Sequence, residues 1–353
     1  MIVFKILKLL FLPILWLAYL LSFLSKRDHK RVILGSISDF VPRNIEIIYN
    51  ELINSGYDAV VIGSKIENVK CTDKYSILYF KFVLTAKYFV YTHYVSDIGF
   101  WFSGRVKLVN LWHGHPLKKI ERDYENNSFF YSNNLIVLFR MLFHPYRYIT
   151  NFKIICHYEY FASIFERAFN IEKKLIYECK EIRDARKVCI EDFDVLYMPT
   201  FRPVTLSKNH SIELNNVVRM LNRNQISYYY KLHPVDSSLV KYRDRKLNKN
   251  IDPFDAFLSS KILITDYSSI IIDYLGVHPK GNVILFLHDE NEYKKMDRDF
   301  YPIWDQIKKS CTVVRSLEDL EDAIQKFLKN SPDSLQLNLM PFKNEMRIHD
   351  LLD

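Results

Sequence analysis

The apolar positions of the chain alternate between two kinds of segment. Short apolar runs, such as Asp58–Gly63 and Ile262–Ile264, have the length and composition of buried strands. Between them lie segments with apolar residues at helical spacing, such as Ile45–Asn54 and Phe161–Phe169. This alternation predicts an α/β protein with mainly parallel sheets. Further strands are predicted at Val32–Gly35, Tyr75–Phe80, Tyr88–Thr92, Val106–Trp112, Leu175–Tyr177, Val195–Met198, Tyr228–Leu232, Val283–Phe286 and Thr312–Val314, and further helices at Leu214–Leu221 and Leu317–Leu328.

The alternation occurs twice, which predicts two domains. The charged, strand-poor stretch Glu178–Val188 separates the two series. We therefore expect an N-terminal segment 1–30, a first Rossmann-like domain 31–185, a second Rossmann-like domain 186–335 and a tail 336–353. The simplest architecture is two Rossmann-like domains facing across a cleft. Ligands of such sheets bind beyond the carboxyl ends of the strands.

The N-terminal segment is strongly apolar. Leu9–Leu24 contains no charged residue, and the basic stretch Lys26–Arg31 follows it. A full membrane span needs about 20 apolar residues, and no signal-peptidase site of the small-x-small kind follows the run. We interpret the segment as a membrane anchor, either a short span or a helix lying in the interface, with the basic stretch facing anionic lipid. The alternative is a buried helix of the first domain.

The composition and net charge of the chain indicate which classes of binding partner it has. The 353-residue chain is 49% hydrophobic, as expected of a folded protein, and carries a formal net charge of +8. This charge favours anionic partners. Its five scattered cysteines form no CxxC pair, which indicates reduced thiols in a reducing compartment. A nucleic-acid-binding module is not recognisable, and we predict no nucleic-acid partner.

Four polar motifs follow strand-like runs. They are Trp112–Lys119 (WHGHPLKK), Pro199–Arg202 (PTFR), Lys231–Pro234 (KLHP) and Ile264–Ser269 (ITDYSS). At the last motif a strand is expected to turn into a helix, whose N–H groups and dipole attract an anion. Ser268 and Ser269 add hydroxyl donors there, although the same residues are also typical of an ordinary helix cap. A neutral histidine such as His113 or His233 suits general base catalysis.

The ordered series of motifs, followed by His288–Tyr293 (HDENEY), resembles the CDP-glycerol glycerophosphotransferases of teichoic acid and capsule synthesis. The resemblance covers about Asn44 to Asp305. It implies a two-domain fold of the GT-B type, attachment to the cytoplasmic face of the membrane, and transfer of a polyol phosphate from a CDP-polyol, with CDP-glycerol as the expected donor. The acceptor would be a hydroxyl group on a lipid-linked or polymeric glycan, and CMP would be released. The resemblance further implies that domain 31–185 binds the acceptor and that domain 186–335 binds the CDP-polyol donor.

The resemblance also implies roles for individual residues. His113 is expected to be the general base, and His233 to contact the diphosphate or the leaving phosphate. Arg202 is expected to neutralise the diphosphate. The remaining substrate-binding candidates are Thr200, Lys231, Asp266, Ser268, Ser269, Asp273 and Asp289. His113 and His115 form an H-x-H pair, but no further ligand cluster lies nearby in the sequence, so neither a metal site nor a cofactor is predicted.

Two other functions fit the same residues. A GT-B glycosyltransferase that uses a nucleotide sugar would need the same phosphate site, because fold alone does not separate the two reactions. A non-catalytic membrane protein that binds an anionic polymer would need only basic surfaces. The choice of glycerol or ribitol, single addition or polymerisation, the identity of the acceptor and the oligomeric state are left open by the sequence.

Overall fold

The computed structural model describes residues 2–37, 43–63, 68–181, 190–202, 204–232, 245–247, 251–296, 298–329 and 339–352, with the side chains of 2–9, 204–209 and 296 left out. The chain divides into two α/β units. The first comprises Met1–His113, Ile120–Asp184 and Leu339–Asp353, and the second comprises Gly114–Lys119 and Ala185–Asn338. Each unit is built on a parallel sheet, as the alternation of strands and helices predicts.

The first unit contains a seven-stranded parallel sheet within the described residues. Its strand order, β3-β2-β1-β4-β5-β6-β7, reverses direction between β1 and β4, and ligands of such sheets bind beyond the strand carboxyl ends at this kind of point. The strands are β1 (Asp28–Gly35), β2 (Asp58–Ile62), β3 (Cys71–Thr72), β4 (Ala86–Tyr91), β5 (Lys107–Asn110), β6 (Lys153–Cys156) and β7 (Ile176–Glu178). The helices are α1 (Ile2–Ser22), α2 (Arg43–Asn54), α3 (Ile77–Thr85), α4 (Asn134–Phe143) and α5 (Glu159–Phe169).

The core of the first unit follows from the two apolar periods. The run Val32–Leu34 in β1 is fully buried, because helices cover both faces of a parallel sheet. Ile45, Ile48 and Leu52 recur on one face of α2 and pack against it. Apolar burial of this kind is worth about 25 cal/mol per Å² and is the main stabilising contribution.

One predicted strand is wrong. Tyr75–Phe80 forms a turn and the first residues of α3. The side chain of Ser76 accepts a hydrogen bond from the backbone N–H of Tyr79 and caps this helix. A capped start of this type fixes a helix where an apolar run alone is ambiguous.

The second unit contains a five-stranded parallel sheet within the described residues, in the order β12-β11-β10-β8-β9. Its strands are β8 (Phe193–Met198), β9 (Tyr228–Tyr230), β10 (Ser260–Thr265), β11 (Asn282–Phe286) and β12 (Thr312–Val314). The helices are α6 (Val204–Arg223), α7 (Pro253–Leu258), α8 (Ile270–Val277), α9 (Glu290–Met296), α10 (Ile303–Ser310) and α11 (Leu317–Lys329). The order reverses between β8 and β10, so the turns after these strands lie where a ligand is expected. A side-chain cap precedes α11, in which Ser316 Oγ accepts from the N–H of Asp319.

Two short segments fold away from their neighbours in sequence. Gly114–Lys119 belongs to the second unit, where Leu117 accepts a backbone hydrogen bond from Tyr301 and Lys119 donates one to Asp299. The last residues, expected to be a tail, form α12 (Ile348–Leu352). Its apolar residues Ile348, Leu351 and Leu352 are buried in the core of the first unit.

The N-terminal helix α1 packs on the first unit through aromatic contacts. Tyr19 stacks on Phe100 with ring centroids 4.6 Å apart, and Trp16 meets Trp101 edge to face at 5.5 Å. Trp16 Nε1 also donates to the carbonyl of Leu142 at the end of α4. Within the described part of the chain, no helix is long and apolar enough to cross a bilayer.

Candidate active site

His113 lies at the carboxyl end of β5 in the first unit, and its side chain is exposed. Its Nδ1 lies 3.2 Å from the backbone carbonyl oxygen of Thr92, which follows the neighbouring strand β4. Because a carbonyl oxygen only accepts hydrogen bonds, Nδ1 must carry the proton in this contact. Nε2 is then the basic nitrogen of the imidazole. The hydrogen bond to the Thr92 carbonyl therefore selects the tautomer in which Nε2 can accept a proton, as a general base must.

A strained turn precedes His113. Trp112 has φ +53°, in the left-handed region that bulky residues rarely adopt. Its backbone N–H donates to Asn110 Oδ1 at 2.8 Å, and Asn110 Nδ2 donates to the carbonyl of His93. The indole packs edge to face on Phe169, with centroids 4.9 Å apart. The buried amide and the indole together hold the backbone that presents His113.

His93 is a site residue that the sequence analysis missed. Its ring lies 5.0 Å from the ring of His113, and it directly follows the predicted strand Tyr88–Thr92. Burial, together with the nearby His113 and Arg147, lowers the pKa of His93 to about 3. His93 is therefore neutral at physiological pH. The signal in the sequence that could have identified His93 is its position directly after a predicted strand.

Asp97 holds the loop that carries His93. Its Oδ2 accepts the backbone N–H of His93 at 3.0 Å. Burial raises the pKa of Asp97 to about 6, although hydrogen bonds from the loop backbone and the charge of Lys74 act in the opposite direction. A carboxylate that accepts backbone donors in this way closes the loop beyond β4.

In the second unit, a buried arginine joins three turns. Arg202 follows β8, Asp266 follows β10 and Asp289 follows β11. The Arg202 Nη2 donates to Asp266 Oδ2 at 2.8 Å, and its Nε donates to Asp289 Oδ2 at 2.7 Å. Nη1 donates to the carbonyl of Thr200. Arg202 is only 1% exposed, so its guanidinium group is enclosed by protein.

The charges of this network stabilise one another. Burial alone would raise the pKa of Asp266 and Asp289, but the Arg202 guanidinium holds both below their usual range. Burial would lower the pKa of Arg202, and the two carboxylates raise it instead. Asp266 also accepts hydrogen bonds from the backbone and the hydroxyl of Thr200. Thr200 and Asp266 are thus brought together, as their shared position at strand ends predicts.

Two stacked tyrosines cover the Arg202 network. The rings of Tyr267 and Tyr293 lie 3.9 Å apart at an interplanar angle of 11°. The Arg202 guanidinium lies 4.7 Å from the Tyr293 centroid, and Tyr267 donates to Asp289. Lys118 donates to the Tyr293 hydroxyl. The lysine of the WHGHPLKK motif is thereby tied to the second unit.

Ser268 and Ser269 lie at the start of α8. Ser268 Oγ accepts from the N–H of Ile270 at 3.4 Å, whereas Ser269, the N-cap residue of α8, forms no side-chain capping hydrogen bond with the helix. A Cβ at Gly114 would lie 3.3 Å from Ser269 Oγ, and Gly114 has φ +149°. His115 is buried beside Asp273, with 3.5 Å between Nε2 and Oδ1. Gly114 and His115 therefore pack directly on the start of α8. We call Ser268 and Ser269, at this start, the phosphate-binding turn, because the sequence predicts that they bind phosphate.

Lys231 and His233 are the two remaining predicted site residues. Lys231 donates to the carbonyl of Ile251, and burial lowers its pKa while Asp252 acts in the opposite direction. Its ammonium group supports the fold of the second unit in this position. His233 lies outside the described residues, so its predicted role stays a prediction.

The sequence matches the family model described as CDP-Glycerol:Poly(glycerophosphate) glycerophosphotransferase over residues 17–347. The chain belongs to this family. The family and the transferase class predicted from the motifs are thus confirmed.

Relatives and solved structures agree with this assignment. The chain is 24% identical over 265 residues to the teichoic acid poly(glycerol phosphate) polymerase of Bacillus spizizenii, covering 65% of this chain and 63% of that protein. It is 21% identical to the teichoic acid glycerol-phosphate transferase of Staphylococcus aureus, covering 78% and 77%. A structure of the wall teichoic acid polymerase TagF superposes with a TM-score of 0.68 at 20% identity, covering 93% and 87% of the two chains. This last likeness concerns the fold.

Proposed function

We propose that this chain transfers glycerol phosphate from CDP-glycerol to a hydroxyl group of a teichoic-acid-type acceptor, which is lipid-linked or polymeric, and releases CMP. The observation that carries the proposal is the contact between His113 Nδ1 and the carbonyl of Thr92, because it makes Nε2 the basic nitrogen. Membership of the glycerophosphotransferase family supports the donor. The fold supports a transferase of the GT-B type.

The chemistry needs one base and a phosphate site. The acceptor hydroxyl oxygen attacks the phosphorus that bears glycerol, and His113 Nε2 takes the hydroxyl proton. The bond from that phosphorus to the bridging oxygen breaks, and CMP leaves with the electron pair. Ser268, Ser269 and the first N–H groups of α8 stabilise the phosphate oxygens. Phosphoryl transfer depends mainly on such positioning and charge stabilisation.

The roles of the remaining candidates follow from their surroundings. Arg202 is a positioning residue in this proposal, because its donors hold Thr200, Asp266 and Asp289. The predicted contact between Arg202 and the diphosphate would require opening this network. Asp273 is paired with His115, and we assign this pair to the placement of Gly114 beside Ser269.

We further propose that the enzyme works on the cytoplasmic face of the membrane. The apolar helical surface, defined as the exposed faces of α1 and α4, supports interfacial attachment. Free thiols at Cys71, Cys156, Cys179 and Cys311 fit a reducing compartment. Flotation with liposomes tests the attachment, and Leu138→Asp in α4 is expected to reduce it. The exposed members of the surface are Leu10, Phe11, Ile14, Leu17, Leu20, Leu21, Leu135, Ile136, Leu138, Phe139, Met141 and Leu142.

The reaction is tested by measuring CMP release from CDP-glycerol. Detergent-solubilised protein is incubated with donor and a crude membrane-lipid or polymer acceptor, beside the His113→Ala variant. We expect acceptor-dependent CMP release that falls by at least about a hundredfold in the variant, the usual contribution of a general base. Release of a nucleoside diphosphate from a nucleotide sugar, without CMP release from CDP-glycerol, would instead identify a glycosyltransferase. Binding of anionic polymer that is unchanged in His113→Ala, without any turnover, would identify a binding protein.

A further inference from the structure

Three arginines converge around the end of α4 in the first unit. Arg140 in α4 and Arg147 just beyond it lie 5.2 and 4.2 Å from the ring centroid of Phe129. Arg122 lies 4.6 Å from the ring centroid of Phe130. We call Arg122, Arg140 and Arg147 the arginine cluster. All three side chains are half-buried, so their charges are held near the surface by the aromatic rings.

The three guanidinium groups of the arginine cluster all lie close enough to the Tyr148 hydroxyl to influence its pKa. Burial raises the pKa of Tyr148, and the three guanidinium groups of the cluster act in the opposite direction. The Tyr148 hydroxyl donates to the carbonyl of Phe129, which fixes the loop that carries this ring. The cluster is therefore a concentrated positive charge on an ordered part of the first unit.

Nearby carboxylates are engaged elsewhere. Glu121 accepts a hydrogen bond from the Tyr94 hydroxyl, and Asp123 forms a bidentate pair with Arg167. Among the residues that the structure describes, the cluster forms no ion pair with a carboxylate. Stacked guanidinium groups without such partners are suited to bind an external anion, because their planar donors match phosphate oxygens in pairs.

The cluster reaches the proposed base through two rings. The Arg147 guanidinium lies 4.7 Å from the Tyr94 ring centroid, and the Tyr94 and His93 rings are 4.0 Å apart. The His93 ring is in turn 5.0 Å from that of His113. A continuous series of ring contacts therefore links Arg147 to His113 within the first unit. On its other side the cluster adjoins the exposed apolar face of α4.

We propose that the arginine cluster is the acceptor subsite, in which Arg122, Arg140 and Arg147 bind phosphate groups of the acceptor. The ligand class is a phosphodiester or diphosphate that carries the attacking hydroxyl group. The inference rests on the proposed function, since it assigns the acceptor side of that reaction. The apolar face of α4 holds the lipid portion or the bilayer from which the acceptor is presented.

Kinetics with a soluble acceptor test the subsite. Synthetic glycerol phosphate oligomers serve as acceptor without any bilayer, and CMP release is measured at varied oligomer and varied CDP-glycerol. The Arg147→Gln and Arg140→Gln variants are expected to raise the KM for the oligomer about tenfold each, and to leave the KM for CDP-glycerol within about twofold. Arg219→Gln, an exposed arginine on α6 of the second unit, is the control for loss of one charge. An oligomer KM unchanged in both cluster variants would overturn the proposal.

A binding measurement separates the subsite from the reaction. Equilibrium dialysis of labelled oligomer against the full chain requires no turnover. Arginine-dependent binding without CMP release would support the subsite and refute the proposed reaction. Turnover with cluster-independent binding would do the reverse. Vesicles with and without phosphatidylglycerol distinguish the phosphate source, because variants that lose only vesicle binding would assign the cluster to lipid headgroups and overturn the acceptor subsite.

Discussion

Arg202 and Asp289 form a bidentate pair in the interior of the second unit, with Nε to Oδ2 at 2.7 Å and Nη2 to Oδ1 at 3.0 Å. The same guanidinium also binds Asp266 and the carbonyl of Thr200. One side chain thus joins the turns after three strands. Because a lysine has the charge but not the planar donors, Arg202→Lys is expected to lower the free energy of unfolding by about 2–4 kcal/mol.

The same variant distinguishes a positioning role from a direct contact with the diphosphate. Thr200 and Asp266 lose their common partner, so CMP release and thermal stability should fall together in Arg202→Lys. Lys261→Met, which removes an exposed ion pair with Asp194 in the same unit, is the matched control and should change stability by less than about 1 kcal/mol. A variant with normal unfolding and lost activity would instead favour direct substrate binding.

Glycine at position 114 satisfies two separate constraints. Its φ of +149° is unfavourable for other residues, and a Cβ would lie 3.3 Å from Ser269 Oγ. Gly114→Ala should therefore displace either His113 or the phosphate-binding turn, and reduce CMP release at least about tenfold. Gly56→Ala is the control, because Gly56 has φ +78° but open space around the added methyl group. It should cost about 1 kcal/mol of stability and leave turnover unchanged. Equal turnover in the two variants would contradict the close packing at Gly114.

The fold could be predicted from the sequence to the extent that local pattern decides it. The apolar run Val32–Leu34 forms a buried strand, as its local pattern predicts. In Tyr75–Phe80 the apolar pattern is ambiguous, and the side-chain cap at Ser76 makes the segment begin a helix. The motif containing Arg202 predicts a cation at a strand end. Whether that cation points inward depends on carboxylates 64 and 87 residues later, which no local pattern reveals.

The first unit shows the same limit. The sequence indicates His113 through its motif, but the contact that selects its tautomer comes from a backbone carbonyl 21 residues earlier. The arginine cluster is missed for a similar reason. Its members are spread over Arg122–Arg147 and converge only because Phe129 and Phe130 fold beneath them. Contacts between residues this far apart in the sequence become visible only in the folded structure.

Arg27 connects α1 to the first unit. Its guanidinium donates to the carbonyls of Ser22, Val83, Phe102 and Gly104 at 2.6–3.0 Å. Burial and the nearby Arg105 lower the pKa of Arg27 to about 10, which leaves it charged at neutral pH. Arg27→Met leaves these acceptors without their donor, at a cost of roughly 2–4 kcal/mol.

Limited trypsin digestion in detergent reports on this attachment. Cleavage after Lys26 should become at least several times faster in Arg27→Met, because the helix detaches more often. Lys30→Met, an exposed change of the same charge, should leave cleavage after Lys26 near the wild-type rate. Similar rates in both variants would show that the aromatic contacts of Trp16 and Tyr19 hold α1 without Arg27.

The half-buried His93 gives the first unit a pH dependence. The pKa of His93 is about 3 in the folded chain, against about 6.5 for an unperturbed histidine. The unfolded state therefore binds more protons as pH falls below 6.5, and the stabilising contribution of neutral His93 is lost progressively between pH 6.5 and 3. At pH 5 the loss is about 1–2 kcal/mol, given that the ring is partly accessible.

Urea unfolding at pH 7 and pH 5 measures this loss. His93→Gln keeps a polar side chain that does not titrate, so its unfolding midpoint should fall less between the two pH values than that of the wild type. His29→Gln removes an exposed histidine and should retain the full wild-type loss. Asp97 acts with the opposite sign: its pKa of about 6 means that the folded chain binds the extra proton between pH 6 and 4. Asp97→Asn should therefore deepen the loss at pH 5, and a shallower loss would show that the fold favours the ionised form of Asp97 instead.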